Sequence, residues 1–364
     1  MKCKLSDVCE YRKGKVHVSN LTLKTYISTE SMLPNKAGVV EANSLPSTTL
    51  VQEYKENDTL VSNIRPYFKK VWQAKHDGGC SNDVLVFQGK ANIDKDFLYY
   101  ILANDDFFAY SMATSKGTKM PRGDKKSIMQ YELQLFDIKI QKKIVSILKL
   151  LDKKIELNNA INNNLAQQAK TIYQTWFEKF ILSNGSCPPT WKRGILADIA
   201  NITSGKRPPK KSTKKQNGFE IPLLGATSIV GFTNEANYTN KILVIGRVGT
   251  HGIVQRINFP CWASDNTLVI TSELYEYTFQ ILQKINYHAM NRGSTQPLIT
   301  QADMNKVDIL IPDNQILTEF ESIVGQLMKK YETNLMENTK LAELRDYLLP
   351  CLLSGELDVS QINI

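Results

Sequence analysis

The alternation of apolar and polar residues is most regular between Ile144 and Ile172. Along this stretch apolar residues and asparagines follow one another at alternating spacings of four and three residues. Such a heptad pattern predicts a long helix with one seam packed against a partner helix. The seam positions are Ile144, Leu148, Leu151, Ile155, Asn158, Asn162, Leu165, Ala169 and Ile172.

The same stretch returns in the same order at Phe320–Leu348. Ten positions are identical between the copies: Ser146/Ser322, Ile147/Ile323, Leu151/Leu327, Lys153/Lys329, Lys154/Lys330, Glu156/Glu332, Asn158/Asn334, Asn162/Asn338, Leu165/Leu341 and Ala166/Ala342. Average composition would give roughly 2 identities. The repeat therefore indicates that the chain itself supplies both helices of a pair, rather than two ordinary core helices of one domain. The second seam carries Phe320, Val324, Leu327, Tyr331, Asn334, Asn338, Leu341, Arg345 and Leu348.

Four asparagines lie on these seams, at positions where leucine would be more stabilising: Asn158, Asn162, Asn334 and Asn338. A buried asparagine is tolerated on a seam when it fixes register, because a slip leaves its amide unpaired. We therefore interpret the four as register residues of the helix pair. Leucine at Asn158 and Asn334 together should raise thermal stability and loosen the spacing that the pair sets.

The residues before the first helix, 1 to about 140, have the pattern of a mixed α/β domain. Thr59–Ile64 and Val84–Phe87 are apolar and β-branched, which favours strands. Gly78–Gly79 between them indicates a turn. Phe97–Tyr110 is aromatic with helical spacing. Further short elements are a helical turn at Leu5–Val8 and a loop at Ser115–Arg122.

Residues from Thr190 to about Pro312 repeat the skeleton of this first domain. Arg247 follows a strand-like Ile242–Ile245 as Arg65 follows Thr59–Ile64. Three further echoes are Leu196–Ile199 with Leu5–Val8, Ser264–Ile270 with Ser81–Phe87, and Arg292–Pro297 with Lys116–Pro121. The predicted fold class is α+β: two similar mixed α/β domains separated by two long antiparallel coiled-coil helices, with a pseudo-twofold internal repeat. We predict a first domain over 1–140, a first helix over 141–182, a second domain over 183–313, and a second helix with the C-terminal tail over 314–364.

The order of these elements predicts a geometry. The termini of a compact domain usually lie close together, so a domain placed between two helices makes them antiparallel and sits at one tip. The first domain then belongs at the opposite tip. A seam of 29 residues is about 43 Å long, and one turn of B-DNA is about 34–36 Å. This spacing suits the reading of two short half-sites on either side of an unread spacer.

Charge narrows the choice of partner. The chain has 364 residues, a net charge of +9 and a pI near 9.0, which favours a polyanionic partner. One basic run has no acidic residue before Glu220: Lys206, Arg207, Lys210, Lys211, Lys214 and Lys215. There is no apolar run of about 18 residues and no signal peptide pattern, so a cytoplasmic protein without a membrane span is expected. Six scattered cysteines without a CxxC pair argue against a zinc site or a disulfide framework.

Basic and amide side chains in the two domains are the candidates for DNA contact. Arg and Lys read guanine in the major groove, Asn and Gln read adenine, and other basic residues hold phosphates. The candidates in the first domain are Arg65, Lys69, Lys70, Lys116, Thr118, Lys119 and Arg122. Those in the second are Lys206, Arg207, Arg247, His251, Arg292, Thr295, Gln296 and Gln301. Met120 and Pro121 are interpreted as packing residues.

Motifs that carry chemistry are missing from the sequence. The Asn/Asp-Pro-Pro-aromatic loop of adenine methyltransferases has no match, and Ser204-Gly205-Lys206-Arg207 lacks two residue types of a phosphate-binding loop. Asp137-Ile138-Lys139 looks like half of a nuclease motif, but its spacing to other carboxylates does not fit, so we interpret it as a strand leading into the helix. The four histidines show neither ligand nor triad spacing. The chain alone is expected to be no catalyst, with no metal or cofactor of its own.

Several stretches resemble the specificity subunit of type I restriction–modification systems. The tail RDYLLPCLLSGEL from Arg345 matches the closing signature of that family, and IPLLGATSIVGFTNE from Ile221 looks like part of its target-recognition domains. SNIRPYFKK from Ser62 and GGCSNDVLVF from Gly78 look like another recognition-domain subtype. The resemblance implies a non-catalytic subunit that reads a bipartite double-stranded DNA target through two domains. It further implies two modification subunits that methylate adenine with S-adenosylmethionine, and restriction subunits that use ATP and Mg²⁺.

Two other functions stay open at this stage. The first is a coiled-coil scaffold for protein interactions, whose basic loops are incidental. The second is a fragment of a fused nuclease–methylase, which would need a catalytic loop that the sequence lacks. A steep fall of DNA affinity with salt would favour DNA recognition over the scaffold.

Overall fold

A computed structural model describes residues 1–249, 252–290 and 298–362 of the chain. The chain divides into two compact units, unit 1 (Met1–Asn158 with Met336–Ile364) and unit 2 (Asn159–Leu335). Each unit holds one globular domain together with part of each of two long helices. The predicted domain boundaries at 140, 182 and 313 remain predictions, since the units are cut within the helices.

Unit 1 contains ten strands and four short helices in its described residues. Its elements in chain order are β1 (Lys2–Lys4), α1 (Leu5–Val8), β2 (Cys9–Tyr11), β3 (Lys15–His17), β4 (Tyr26–Ile27), β5 (Leu50–Tyr54), β6 (Thr59–Ser62), β7 (Val71–Gln73), β8 (Gly78–Cys80), β9 (Val84–Gly89), α2 (Lys95–Ala103), α3 (Asp105–Ala113), α4 (Lys125–Ile128), β10 (Glu132–Gln134) and the first part of α5 (Ile138–Phe177). Single 3₁₀ turns lie at Val18–Asn20 and Pro66–Phe68.

Three sheets organise unit 1. β1 pairs with β10, one four-stranded sheet has the order β2-β9-β6-β7, and another has the order β3-β5-β8-β4. The apolar faces of β6 and β9 bury Val61, Leu85 and Phe87 against α2 and α3. Because β6 is central in its sheet, the chain that leaves its end is held from both sides.

Unit 2 shows nine strands and two short helices in its described residues. After the rest of α5 and a 3₁₀ turn at Ile181–Ser183 come β11 (Lys192–Ile195), a 3₁₀ turn at Leu196–Asp198, β12 (Asn201–Ser204), β13 (Ile221–Leu224), β14 (Ile229–Thr233), β15 (Ile242–Gly246), β16 (Gln255–Ile257), β17 (Trp262–Ala263), β18 (Thr267–Thr271), α6 (Tyr275–Lys284), α7 (Gln301–Asn305), β19 (Asp308–Ile311) and the first part of α8 (Asn314–Ser354).

The sheets of unit 2 repeat those of unit 1. β11 pairs with β19 as β1 pairs with β10, and the order β12-β18-β15-β16 has the same plan as β2-β9-β6-β7. The third sheet, β14-β13-β17, is one strand smaller than its counterpart. The two-copy organisation inferred from the sequence is therefore confirmed at the level of strand pairing.

The two long helices run antiparallel in both units. In unit 1, Asp152 on α5 accepts a hydrogen bond from Arg345 on α8 (2.9 Å), and Asn158, further along α5, donates to Asn338 on α8 (2.9 Å). Partner numbers thus fall along α8 as they rise along α5. In unit 2, Tyr173 and Phe177 of α5 pack on Phe320 of α8. None of the predicted seam positions is exposed, so the heptad assignment is confirmed.

A buried ion cluster attaches the sheet of unit 2 to α8. Arg256 on β16, 7% exposed, donates to Glu276 (2.8 Å) and to Glu332 of α8 (2.9 Å). Glu332 has its repeat counterpart at Glu156, which in unit 1 meets Lys75 (3.2 Å) across a pair that is 71% and 67% exposed. The repeated glutamate therefore joins the globular domain to a long helix in each unit, but only in unit 2 is the contact buried.

A second carboxylate of α8 contacts α6 in unit 2. Glu321 accepts the backbone N–H groups of Glu276 (3.0 Å) and Tyr277 (2.8 Å) at the first turn of α6. Burial raises the pKa of Glu321, although these two hydrogen bonds act in the opposite direction. Keeping the Glu321 carboxylate charged in the folded chain therefore costs free energy.

Several local predictions are corrected by the structure. Gly78 and Gly79 form strand β8 rather than a turn, and a Cβ on Gly79 would come within 2.7 Å of Leu21 and Val51. The helical stretch at 97–110 is broken at Asn104, whose extended backbone ends α2 and whose side chain caps α3. α5 ends at Phe177 rather than near Leu182.

Two interpretations near these elements change as well. Asp137 caps the first turn of α5 and accepts from the N–H of Lys139 (2.8 Å), so it is a helix cap and not part of a strand. Met120 is 48% exposed and is not a packing residue, whereas Pro121 is buried as expected. The helical turn at Leu5–Val8 is confirmed.

Among the described residues, none of the helices combines the length and the apolar character needed to cross a bilayer.

Candidate nucleic-acid interface

The candidate residues of unit 1 lie on two loops that backbone hydrogen bonds hold together. Loop A is residues 63–70 and loop B is residues 114–124. The N–H of Arg65 donates to the carbonyl of Pro121 (2.8 Å), and the N–H of Gly123 donates to that of Asn63 (3.1 Å). Loop B is itself closed by two hydrogen bonds between Lys116 and Arg122, both 2.9 Å. All seven candidates of the first domain therefore lie on neighbouring loops.

Four of these seven side chains have partners within unit 1. Lys116 meets Asp124 (2.7 Å), and Arg122 meets Asp83 (3.3 Å). Lys69 donates to Asp105 (2.6 Å), which Lys36 also contacts (2.9 Å). Burial raises the pKa of Asp105, but the hydrogen bonds from Lys69 and Lys36 outweigh this effect, so the pKa lies below its usual value. The other partnered side chain is that of Lys70. The aspartates lower the positive charge that the loops present without removing it.

Lys70 differs from the other lysine of loop A because its ammonium points inward. It donates to the carbonyl of Thr29 (2.7 Å), and partial burial lowers the pKa of Lys70. Thr118 and Lys119, by contrast, are exposed at the end of loop B, and no hydrogen bond or ion pair joins them to another described residue. Lys119 is thus the most available cation of this surface.

Arg65 and Arg247 occupy equivalent places at the ends of the central strands β6 and β15. The N–H of Arg247 donates to Asn266 (2.8 Å), and its carbonyl accepts from Ile299 (3.0 Å). Both guanidinium groups are half-buried, and in both the Nε atom is buried with no hydrogen-bond partner among the described residues. A buried unpaired donor is costly, so both arginines carry the same uncompensated cost at equivalent places of the repeat.

Another candidate of unit 2, Lys206, is bound to the segment from Trp262 to Thr267. Lys206 donates its N–H to Ala263 (2.9 Å) and accepts from the indole of Trp262 (2.7 Å). A Cβ on Gly205 would approach the carbonyl of Ser264 to 2.1 Å, so only glycine lets the loop start there. The backbones of Arg247 and Lys206 are therefore both bound to this segment.

The basic loop of unit 2 is more open than those of unit 1. Its six cations, Lys206, Arg207, Lys210, Lys211, Lys214 and Lys215, are all exposed. No carboxylate among the described residues lies within ion-pair distance of any of them. Gln301 is exposed at the first turn of α7. The candidates His251, Arg292, Thr295 and Gln296 lie outside the described residues.

Two aromatic residues of loop A were not among the sequence candidates. Tyr67 is 49% exposed and Phe68 is 38% exposed, directly after Arg65 and Pro66. The sequence shows that aromatic residues lie between basic ones in Arg65–Lys70, but it does not show that their rings are exposed to solvent. Lys36 was also missed, because its contact with Asp105 joins residues far apart in the chain.

The register asparagines form two pairs across the helices. In unit 1 the amide of Asn158 donates to Asn338 (2.9 Å) and to Glu337 (2.8 Å). In unit 2 the amide of Asn334 donates to Asn162 (2.9 Å), which itself donates to the carbonyl of Tyr331 (3.2 Å). Asn158, Asn162 and Asn334 are buried. Each pair is the repeat copy of the other, since Asn158 corresponds to Asn334 and Asn162 to Asn338.

The next question is whether these side chains could hold a metal ion or a cofactor. Within residues 1–249, 252–290 and 298–362, no group of three or more His, Cys, Asp or Glu side chains is placed to hold a metal ion. The expectation that the chain carries no cofactor stays a prediction. What the arrangement offers is cations and amides on loops anchored at strand ends, which suits contact with bases and phosphates.

Comparison with known proteins gives a consistent result. The family model described as the type I restriction modification DNA specificity domain matches residues 1–167 and again residues 188–345. The HindI specificity subunit of Haemophilus influenzae is 24% identical, with 91% of this chain and 94% of the relative covered. The MjaIX specificity subunit of Methanocaldococcus jannaschii is 25% identical over 75% of this chain and 71% of its own length.

A solved structure shares the fold over the whole chain. The S subunit of a type I restriction–modification system from M. genitalium has a TM-score of 0.59 at 17% identity, covering 99% of this chain and 96% of that one. The two family matches coincide with the two copies seen in the strand pairing. Both copies therefore belong to one kind of domain.

Proposed function

The chain belongs to the family of type I restriction–modification DNA specificity proteins, and from this membership we propose that it reads a bipartite target in double-stranded DNA. In the proposal each globular domain reads one half-site. The chain directs adenine methylation, and restriction, by partner subunits while carrying no catalytic residue itself.

The observation that carries the proposal is the repeated placement of one arginine. Arg65 and Arg247 follow the central strands β6 and β15, and each has a basic loop beside it. Arginine at the end of a rigid strand can present a bidentate donor pair to guanine, while the exposed lysines hold phosphates. The loops around the two arginines differ in sequence, which supports two different half-sites.

Partner subunits are proposed to attach to the long helices. Five large apolar side chains on the long helices in unit 1 are exposed: Leu150 (61%), Leu157 (55%), Met336 (57%), Leu344 (45%) and Tyr347 (69%). Exposed apolar groups on a helix support docking of another protein. We propose two modification subunits, which bring S-adenosylmethionine, and restriction subunits, which bring ATP and Mg²⁺.

The first experiment tests DNA recognition. Methylated adenines are mapped in cells with and without this chain and its modification subunits, which gives the target sequence. Arg65→Ala should then relax discrimination at one base of one half-site by about 1–3 kcal/mol, and Arg247→Ala should do so in the other half-site only. Loss of discrimination in both half-sites from either change would contradict the assignment of one domain to each.

The dependence of DNA affinity on salt concentration distinguishes the proposed DNA recognition from the alternative of a protein-interaction scaffold. Binding of the chain to its target duplex is measured between about 50 and 200 mM salt, where six to ten phosphate contacts lower affinity by about 10³–10⁵. A flat dependence would favour the scaffold. As a control, Leu150→Glu with Tyr347→Glu should weaken attachment of the modification subunits and leave this salt dependence unchanged.

A further inference from the structure

Loop A of unit 1 presents two aromatic rings to solvent. Tyr67 and Phe68 are 49% and 38% exposed, and their ring centres are 4.7 Å apart at an angle of 52°. The ammonium of Lys70 lies 5.8 Å from the centre of the Phe68 ring, on a side chain that is held inward by Thr29. The Phe68 ring is therefore backed by the protein, and the Tyr67 ring is the more exposed of the two.

The rings are mounted on a rigid turn. Pro66–Phe68 is a 3₁₀ turn with a left-handed residue on each side, Arg65 (φ 50°) and Lys69 (φ 50°). The carbonyls of Phe68 and Lys69 accept the N–H groups of Asn35 (2.8 Å) and Lys36 (2.9 Å), and loop B holds Arg65. Left-handed non-glycine residues are costly and persist only where the surroundings impose them. The surroundings thus fix two apolar rings in an outward position.

The charge around the rings indicates what they meet. Loops A and B carry Arg65, Lys69, Lys70, Lys116, Lys119 and Arg122, and three aspartates, Asp83, Asp105 and Asp124, face them. The excess of cations matches a polyanion better than it matches the mixed surface of a typical protein partner. Met120, 48% exposed on loop B, adds another apolar side chain to this basic surface. Apolar side chains in a basic setting are the means by which proteins open base steps in duplex DNA.

We propose that Tyr67 and Phe68 form a wedge that enters the duplex at a base step beside the half-site read by unit 1 and stacks on the base it uncovers. This inference rests on the proposed DNA-reading function and adds a mode of contact to it. Arg65, next to the turn, then reads the base pair adjoining the opened step. In the sequence of unit 2 the second and third residues after Arg247 are Gly249 and Thr250, which carry no ring, so the wedge belongs to one half-site.

The test uses the full chain with its modification subunits and target duplexes that carry 2-aminopurine at successive positions across the unit 1 half-site and the steps that flank it. The adenine to be methylated and its two neighbours are left out, because methylation itself takes that base out of the stack. 2-Aminopurine becomes bright when it loses its stacking neighbours. The wild type should raise fluorescence several-fold at one step, at the base that does not stack on a ring. Tyr67→Ala with Phe68→Ala should return that signal to the level of the free duplex and weaken binding by about 5- to 150-fold, the range for loss of one stacked base.

Control variants separate the wedge from other effects. Tyr67→Trp keeps a ring and should keep the signal. Lys119→Ala should weaken binding and reduce the salt dependence while the bright step remains. Thermal unfolding of each variant, expected to match the wild type because both rings are exposed, shows that the fold is intact.

The outcomes separate the wedge from the proposed function. A bright step that survives the double alanine change overturns the wedge while leaving DNA recognition standing. The same result combined with loss of the modification subunits would assign the rings to a protein interface instead. Absence of any specific binding by the wild type would overturn the proposed function itself.

Discussion

The pairing of buried asparagines across the long helices allows a quantitative prediction. Asn334 donates to Asn162 in unit 2, with both side chains buried. Asn334→Leu removes that donor and leaves a buried acceptor on Asn162, a cost of about 1–3 kcal/mol. The leucine gains roughly 1.5–3 kcal/mol by burial. The two terms offset each other, so either single leucine should change the free energy of unfolding little.

The double change Asn162→Leu with Asn334→Leu behaves differently because no unpaired amide remains. The oxygen of Asn334 already lacks a hydrogen-bond partner among the described residues, so its removal also relieves a desolvation penalty. The double variant should exceed the sum of the single ones by about 1–3 kcal/mol, as for other residues in contact. Urea unfolding followed by circular dichroism measures all four states of the cycle. Additivity within about 0.5 kcal/mol, as expected of independent sites, would refute the pairing.

The combination suggested by the sequence repeat is the natural control. Asn158 and Asn334 are repeat equivalents but belong to different pairs, so leucine at both takes one hydrogen bond from Asn338 and one from Asn162. From this pairing we expect the effects of the two changes to add, with little gain in stability, where the repeat alone predicted a gain; urea unfolding decides between the two expectations. Whether leucine pairs loosen the spacing of the half-sites remains a prediction, measured by methylation of targets whose spacers differ by one base pair.

Three further predictions concern charged groups. Asp105→Asn removes the carboxylate closest to the ammonium groups of Lys69 and Lys36, of which Lys36 keeps Asp346 at 3.9 Å. The change should steepen the dependence of log K on log salt by about 1 for each cation that then reaches a phosphate, and an unchanged slope in binding titrations would mean that none does. Arg256→Ala takes the closest cation from the buried Glu276 and should destabilise the chain by about 3–5 kcal/mol, against less than about 1 for Lys75→Ala at the exposed pair; equal effects in urea unfolding would contradict the role of burial. Because burial raises the pKa of Glu321, its contribution to stability is greatest below the ordinary value of 4.5 and is lost as pH rises through the raised pKa. The wild type should therefore lose stability relative to Glu321→Gln as pH rises above 4.5, and a difference that grows in the opposite direction would exclude this cause.

Periodic features of this chain were predictable from sequence because they depend on local spacing. The helix seams follow from a heptad pattern, and none of their positions is exposed. The equivalence of Arg65 and Arg247 follows from one repeated strand pattern, and the sheet orders confirm that the two strands are equivalent. In both cases the signal is a repetition within the sequence, which requires no knowledge of distant contacts.

Contacts between residues that are far apart in the chain could not be predicted from local sequence patterns. Asp105 binds Lys69 and Lys36, which lie far before it in the chain, and nothing in the local pattern marks it as their partner. Gly78 and Gly79 have the composition of a turn, but they are glycines because neighbouring side chains leave no room for a Cβ. The pairing of Asn158 with Asn338 depends on helix direction as well as on the repeat.

The two recognition surfaces use one scaffold but differ in how their charge is compensated, and this difference can be measured. Three cations of loops A and B, Lys69, Lys116 and Arg122, face aspartates at 2.6–3.3 Å, whereas the six of the unit 2 loop have no carboxylate partner among the described residues. A cation already paired releases less counterion atmosphere on binding, because it must first leave its aspartate. Alanine at Lys206, Arg207 and Lys210 should therefore lower the slope of log K against log salt by about 0.9 for each phosphate that is no longer neutralised. Alanine at Lys69 and Lys116 should lower it by less per residue, and equal reductions would show that the aspartates release their lysines when DNA binds.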